Sequence, residues 1–125
     1  MNRYITLGLT LVGIGGLAVH SLHAQAKPPI YYISEIDATN LDSYIKEYAP
    51  LAQASIKTSG GRQLAAGQNV MSYEGTPPTK RVALTVWDST EQIQAWRNSA
   101  AYKQAREIGN KYAKFRAFSF EGLPQ

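Results

Sequence analysis

Three segments of this chain carry apolar side chains at both odd and even positions, and this restricts the fold more than any other feature. In Ile30 to Ile36, the set Ile30, Tyr32, Ser34, Ile36 alternates with Tyr31, Ile33 and Glu35. In Arg81 to Trp87, Val82, Leu84 and Val86 alternate with Ala83, Thr85 and Trp87. In Lys114 to Phe120, Arg116, Phe118 and Phe120 alternate with Phe115, Ala117 and Ser119. Runs rich in β-branched and aromatic residues at period two predict strands. A strand that is apolar on both sides predicts a sheet whose two faces are both covered.

Only two helices are available to cover it. Leu41, Tyr44, Ile45, Tyr48, Leu51, Ala52, Ser55 and Ile56 recur at three- and four-residue steps, as do Ile93, Trp96, Tyr102, Ala105, Gly109, Tyr112 and Ala113. Thr39 or Asn40 can cap the first helix, and Ser89 with Gln92 has the spacing of a capping box for the second. Asn98-Ser99 reads as a re-capping joint. Pro50 cannot donate to the carbonyl of Lys46, so a kink or break is expected there. Arg62 to Ala66 and Val70 to Glu74 read as one further strand, interrupted by a bulge or bend at Gly67 to Asn69 and forming a hairpin with the strand that starts at Arg81.

The order strand, helix, strand, strand, helix, strand is that of a ferredoxin-like α+β fold, βαββαβ: a four-stranded antiparallel sheet with both helices on one face. The other face would be bare and rich in large apolar side chains. A second copy of the chain related by a two-fold axis is the economical cover.

Residues 1–26 stand apart. A basic start at Arg3, an apolar run from Ile5 to Val19, and Ala24-Gln25-Ala26 ahead of Lys27 have the form of a secretory signal peptide. That run falls short of the roughly 20 residues a membrane span requires, so the expectation is a periplasmic domain, 27–125, with no stable membrane anchor after cleavage. The domain is about 100 residues, enough for one core. Both histidines, His20 and His23, lie in the leader, and cysteine is absent throughout. The domain therefore lacks the usual neutral-pH base, a thiol nucleophile and Cys/His zinc ligands, and no metal or cofactor is expected. Without Arg3, twelve bases face nine acids, a charge of about +3. The bases are scattered, so nucleic acid is not an expected partner.

"YYISEIDATNLDSYIKEYAPLAQASIKTSGGRQLAAG", "RVALTVWDSTEQIQAWRNSAAYKQA" and the terminal "FEGLP" resemble the bacterial family catalogued as domain of unknown function 1330. Tyr48 with Pro50, then Gly60-Gly61-Arg62, then Trp96, Ser99 and Tyr102, and finally Glu121-Gly122 carry the resemblance. It implies a ferredoxin-like homodimer of the dimeric α/β-barrel type, its two open sheet faces opposed, and no established reaction. Fold relatives implied by it include cofactor-independent monooxygenases, isomerases of small lactones and heme-handling proteins. An arginine expected about two turns after the family tyrosine is replaced by Gly109-Asn110, and Arg106 stands out of phase with it.

The glycine-rich stretch "SGGRQLAAGQ" invites comparison with a phosphate loop. It follows a helix and precedes a strand, so the helix would present its carbonyl end, which repels anions. Gly60-Gly61 reads instead as a helix stop, leaving Arg62 either facing a pocket or pairing with Glu121. Tyr48 and Tyr102 are packed aromatics or hydroxyls directed into a pocket between helices and sheet. In the second case they, or a buried Glu121, are candidates for moving a proton. Trp96 would be an apolar wall, and Ser99 a cap or a ligand contact. The sequence thus suggests a homodimer holding a small, mostly apolar ligand near Tyr48, Arg62, Trp96, Ser99 and Tyr102. The alternatives are a cofactor-independent monooxygenase or isomerase acting on a small aromatic or lactone, and a purely structural envelope dimer.

Overall fold

The computed structural model describes residues 27–125. The signal-peptide segment lies outside them. β1 (Ile30–Ala38) leads to a short helix α1 (Leu41–Ser43), a π-helical turn (Tyr44–Tyr48) and α2 (Ala49–Thr58). β2 (Arg62–Gly67) and β3 (Arg81–Trp87) follow, then α3 (Thr90–Asn98), α4 (Ala100–Tyr112) and β4 (Ala113–Glu121). The sheet is antiparallel throughout, in the order β2-β3-β1-β4. It is open, not closed into a barrel, and the fold is the α+β ferredoxin-like arrangement.

The helix ends follow from local chemistry. The Asn40 side chain accepts from the amide of Ser43 at 3.1 Å, and Ser89 Oγ accepts from Gln92 at 3.1 Å. Gln92 Oε1 in turn accepts from the amide of Asp88 at 2.9 Å, closing the cap from both sides. Ser99 forms the joint between α3 and α4: its Oγ donates to the Trp96 carbonyl at 2.7 Å and accepts from the Tyr102 amide at 3.2 Å. After α2, Gly60 adopts φ +93°. Its amide reaches the Lys57 carbonyl at 3.2 Å, while that of Gly61 reaches Ile56 at 2.9 Å. This pair of bonds is a Schellman motif, so the glycine pair is a helix stop.

Pro50 breaks the first helix by displacing the ladder one residue. The amide of Ala49 bonds back to Tyr44 five residues earlier, producing the π turn just before the proline. The displacement alters the predicted stripe. Tyr44, Tyr48, Ala52 and Ser55 are buried, whereas Ile45 and Leu51 turn out to solvent. The second helical stripe is buried as expected at Ile93, Trp96, Tyr102, Ala105, Gly109 and Ala113.

The second strand differs from the sequence reading. Val70 to Glu74 forms no ladder, and the bulge lies between Gln63 and Ala65 instead of at Gly67. β3 begins at Arg81, with Val82 already paired to Gly67, so nothing remains to pair with Val70 onward. Pro77 and Pro78, which lack amide donors, hold the connection out of the sheet. Met71 and Tyr73 are left strongly exposed.

Tyr32, Ile36, Thr85 and Trp87 face the helices, and two aromatic clusters fill the space between. Trp96 lies 5.0 Å from Trp87 and 4.2 Å from Tyr102, centroid to centroid; Tyr48 lies 5.1 Å from Tyr44 and 5.3 Å from Phe115. Two glycines admit these rings. A Cβ on Gly61 would stand 2.6 Å from the Trp87 indole, and one on Gly109 would stand 2.5 Å from the Tyr48 ring. Gly109→Ala therefore opposes helix propensity, which alone would favour alanine by about 1 kcal/mol. The clash dominates, and urea unfolding of this variant should show a loss of about 1–3 kcal/mol.

Candidate functional site

Between the sheet and α2–α4 the packing leaves a cavity of about 50 Å³. Its floor is the helix-facing side of β1, β3 and β2, at Ser34, Ile36, Ala83, Thr85, Gln63 and Ala66. Its walls are Tyr44, Tyr48, Ala52, Trp96 and Tyr102, with Arg81 entering from the start of β3. Tyr48, Trp96 and Tyr102, singled out from the sequence, are thus brought together. The Trp96 indole is fixed by donating to Ser55 Oγ at 3.0 Å, and Ser55 donates to the Ala52 carbonyl at 2.7 Å. Tyr48 rests on Gly109, where an arginine side chain would have no room.

Three other candidates lie elsewhere. Arg62 is exposed on the edge strand, in one row with Val86, Tyr31 and Phe120; Glu121 is exposed on the opposite edge, in the next row with Ile30. Three strand spacings, roughly 14 Å, separate the two edges, so Arg62 neither pairs with Glu121 nor lines the cavity. Glu121 is exposed and does not reach the cavity as a base. Ser99 uses its hydroxyl in the helix joint, also outside the cavity. Among the described residues the ion pair is between Arg116 and Glu35, 2.9 Å apart on the open face.

Sequence reasoning missed Tyr44 and Arg81. Tyr44 shared the helical stripe with Tyr48 and so was indistinguishable from core. Arg81 read as the polar start of a strand, yet its guanidinium stands 5.4 Å from the Tyr44 ring centroid, and its Nε is buried with no hydrogen-bond partner. Arg106 does not occupy the position two turns after Tyr102, where Gly109-Asn110 stands, but lies one helical turn after that tyrosine. Its Nη1 donates to the Tyr102 hydroxyl at 3.2 Å, and its guanidinium lies 3.9 Å from the Phe115 ring centroid.

The phenols are held neutral. Burial pushes Tyr48 far above the ordinary tyrosine value, with the Tyr102 hydroxyl adding to the shift. Burial likewise raises Tyr44 against the opposing Arg81 charge, and Tyr32 against Arg97. No Asp or Glu lines the cavity, and no group of three His, Cys, Asp or Glu among the described residues could hold a metal ion. The cavity can thus donate hydrogen bonds to an oxygen and enclose an apolar body, but it holds no group ready to take a proton.

The raised phenol values set the alkaline stability. The folded state keeps these protons while the unfolded chain loses them near pH 10.0, so their contribution is complete below about pH 10 and is lost as pH rises further. Unfolding free energy should fall beyond that point by about 1.4 kcal/mol per pH unit for Tyr48. Tyr48→Phe should flatten the slope by close to one proton, measured by denaturant unfolding from pH 9 to about pH 11.

The sequence matches the family model "Domain of unknown function (DUF1330)" over residues 29–123. Comparison with curated proteins finds no match. Among solved structures, a protein of unknown function from Rhodopseudomonas palustris superposes with TM-score 0.63 at 14% identity, covering 86% of this chain and 94% of that one. SnoaB, a cofactor-independent oxygenase from Streptomyces nogalater, gives 0.58 at 8% identity over 78% and 96% of the two chains. A dimeric protein of unknown function with a ferredoxin-like fold from Bacteroides fragilis gives 0.50 at 10% identity over 74% and 95%. At such identities these likenesses concern the fold alone. Since the family model spans nearly all of the described domain, the chain belongs to the DUF1330 family.

Proposed function

We propose that this protein binds a small, mostly apolar molecule in the cavity between sheet and helices, as a homodimer in the periplasm. The carrying observation is that the core does not close there. A void of about 50 Å³ costs about 1 kcal/mol, and beside it the Nε of Arg81 is buried without a partner, a further cost. A small domain keeps such a defect at the junction of all its layers more readily when a guest relieves it. Arg81 and the hydroxyls of Tyr44, Tyr48 and Tyr102 would meet an oxygen of that guest, and Trp96 and Ala52 its apolar part. The small size of the void limits the guest to a few heavy atoms unless the helices part.

The enzymatic alternative, a cofactor-independent monooxygenase or isomerase, has in its favour the fold shared with an oxygenase. Such a reaction usually begins by removing a proton, and the cavity offers donors without a base. Binding is therefore the better-supported reading, and a substrate would have to arrive already ionised. Assembly rests on the open sheet face, where Tyr31, Ile33, Val82, Leu84, Phe118 and Phe120 share one side. Phe118 and Phe120 are 43% and 49% exposed, and a similar fold is dimeric in the Bacteroides fragilis protein.

Native mass spectrometry of protein taken from its own host should show a small-molecule adduct. The adduct should be absent from Ala52→Leu, which fills the void, and reduced in Tyr102→Phe. Retention of an unchanged adduct in a natively folded Ala52→Leu variant would place the ligand elsewhere. Light scattering at micromolar concentration should give the mass of two chains, and Ile33→Glu with Phe118→Glu the mass of one; a wild-type mass of one chain would exclude the dimer.

A further inference from the structure

A second and larger space lies outside the core. β4 is an edge strand on which α4 packs only near Phe115, so the helix-facing residues Ala117 and Ser119 further along it stay exposed. The result is a cleft of about 460 Å³ between α3, α4 and β4, behind the wall that Tyr32 and Tyr102 form for the inner cavity.

Two guanidinium groups enter it, Arg97 from α3 and Arg106 from α4. Both are held in place by neutral groups. Arg97 Nη1 donates to the Tyr32 hydroxyl at 2.6 Å, and its guanidinium lies 5.9 Å from the Tyr102 ring centroid. Arg106 donates through Nε to Asn110 Oδ1 at 2.9 Å and through Nη1 to the Tyr102 hydroxyl at 3.2 Å, stacked on Phe115. Each guanidinium carries five N–H donors, so each keeps several uncommitted within the described residues. No acidic side chain lines the cleft, and neither arginine forms an ion pair among the described residues. The remaining lining joins hydroxyl and amide groups, Thr90, Gln94 and Ser119, to apolar walls at Ile93 and Phe115.

Two anchored cations without counter-charge favour an anion. The planar guanidinium fork matches a carboxylate, and anchoring lowers the entropy lost on binding. The apolar walls favour an organic anion over a mineral one. We propose that this cleft is a binding site for a small carboxylate with an aromatic or branched apolar body, its carboxylate held by Arg97 and Arg106 and its body against Phe115 and Ile93. The site is separate from the inner cavity and does not depend on that cavity being occupied.

Benzoate is a suitable probe, with benzamide as its neutral isostere and inorganic phosphate as a mineral anion. In amide NMR titrations of the purified protein, benzoate should give saturable shifts centred on Thr90, Gln94 and Ser119. Benzamide and phosphate should give none that saturate, and benzoate binding should weaken as salt is raised. Arg97→Gln with Arg106→Gln should weaken benzoate at least about tenfold, while Tyr48→Phe should leave it unchanged. The proposal is overturned if benzamide or phosphate saturates as benzoate does, if the shifts gather at Ser34 and Gln63 around the inner cavity, or if a natively folded double variant binds benzoate unchanged. Should the double variant lose its native circular dichroism, the comparison of the three probes on the wild-type protein decides.

Discussion

The ring of Tyr48 lies directly on the backbone of α4 at Gly109, and the layer above the sheet is organised around that contact. Any side chain at Gly109 would push the helices apart, since a Cβ there would stand 2.5 Å from the ring. With none present, Tyr48 packs at once against α4, Tyr44 and Phe115, placing α2 and α4 side by side over the sheet. The π turn belongs to the same arrangement. Pro50 removes one donor, the ladder slips by one residue, and the slip turns Ile45 and Leu51 outward while keeping both tyrosines inward.

Close packing at Tyr48 contrasts with what lies beside it. At Trp96 and Tyr102 the rings form an aromatic wall, yet between that wall and Ser34, Gln63 and Ala83 a space is left. Arg81 approaches it with a buried, unpaired Nε. Burial keeps the phenols neutral, so the space is a donor-rich, apolar-walled chamber. On the other side of Tyr32 and Tyr102, the hydroxyls of the same two residues accept from Arg97 and Arg106. The two tyrosines thus hold the outer guanidinium groups through their hydroxyls while their side chains also line the inner cavity.

Much of the architecture is legible along the chain because it depends on local periodicity. Strand boundaries at Ile30, Arg81 and Trp87, the caps at Asn40, Ser89 and Ser99, and the Gly60-Gly61 stop each reflect chemistry within a few residues. Val70 to Glu74 reads as a strand for the same reason and is not one, because a strand needs a partner and β3 had already begun at Arg81. Arg62 and Glu121 invited pairing as opposite charges, but strand order put them on opposite edges of the sheet.

By itself the sequence determined the element order, the two-faced apolar character of three strands and the absence of histidine and cysteine chemistry from residues 27–125, since each is a property of neighbours along the chain. Only the tertiary structure decided which polar groups meet. Arg81 beside Tyr44, Arg106 at the Tyr102 hydroxyl and Tyr48 upon Gly109 join residues whose contact depends on strand register, a one-residue helical slip and the side of a helix from which a ring arrives. Those quantities are fixed by packing the layers together, where close approach and burial, not local preference, select the partners.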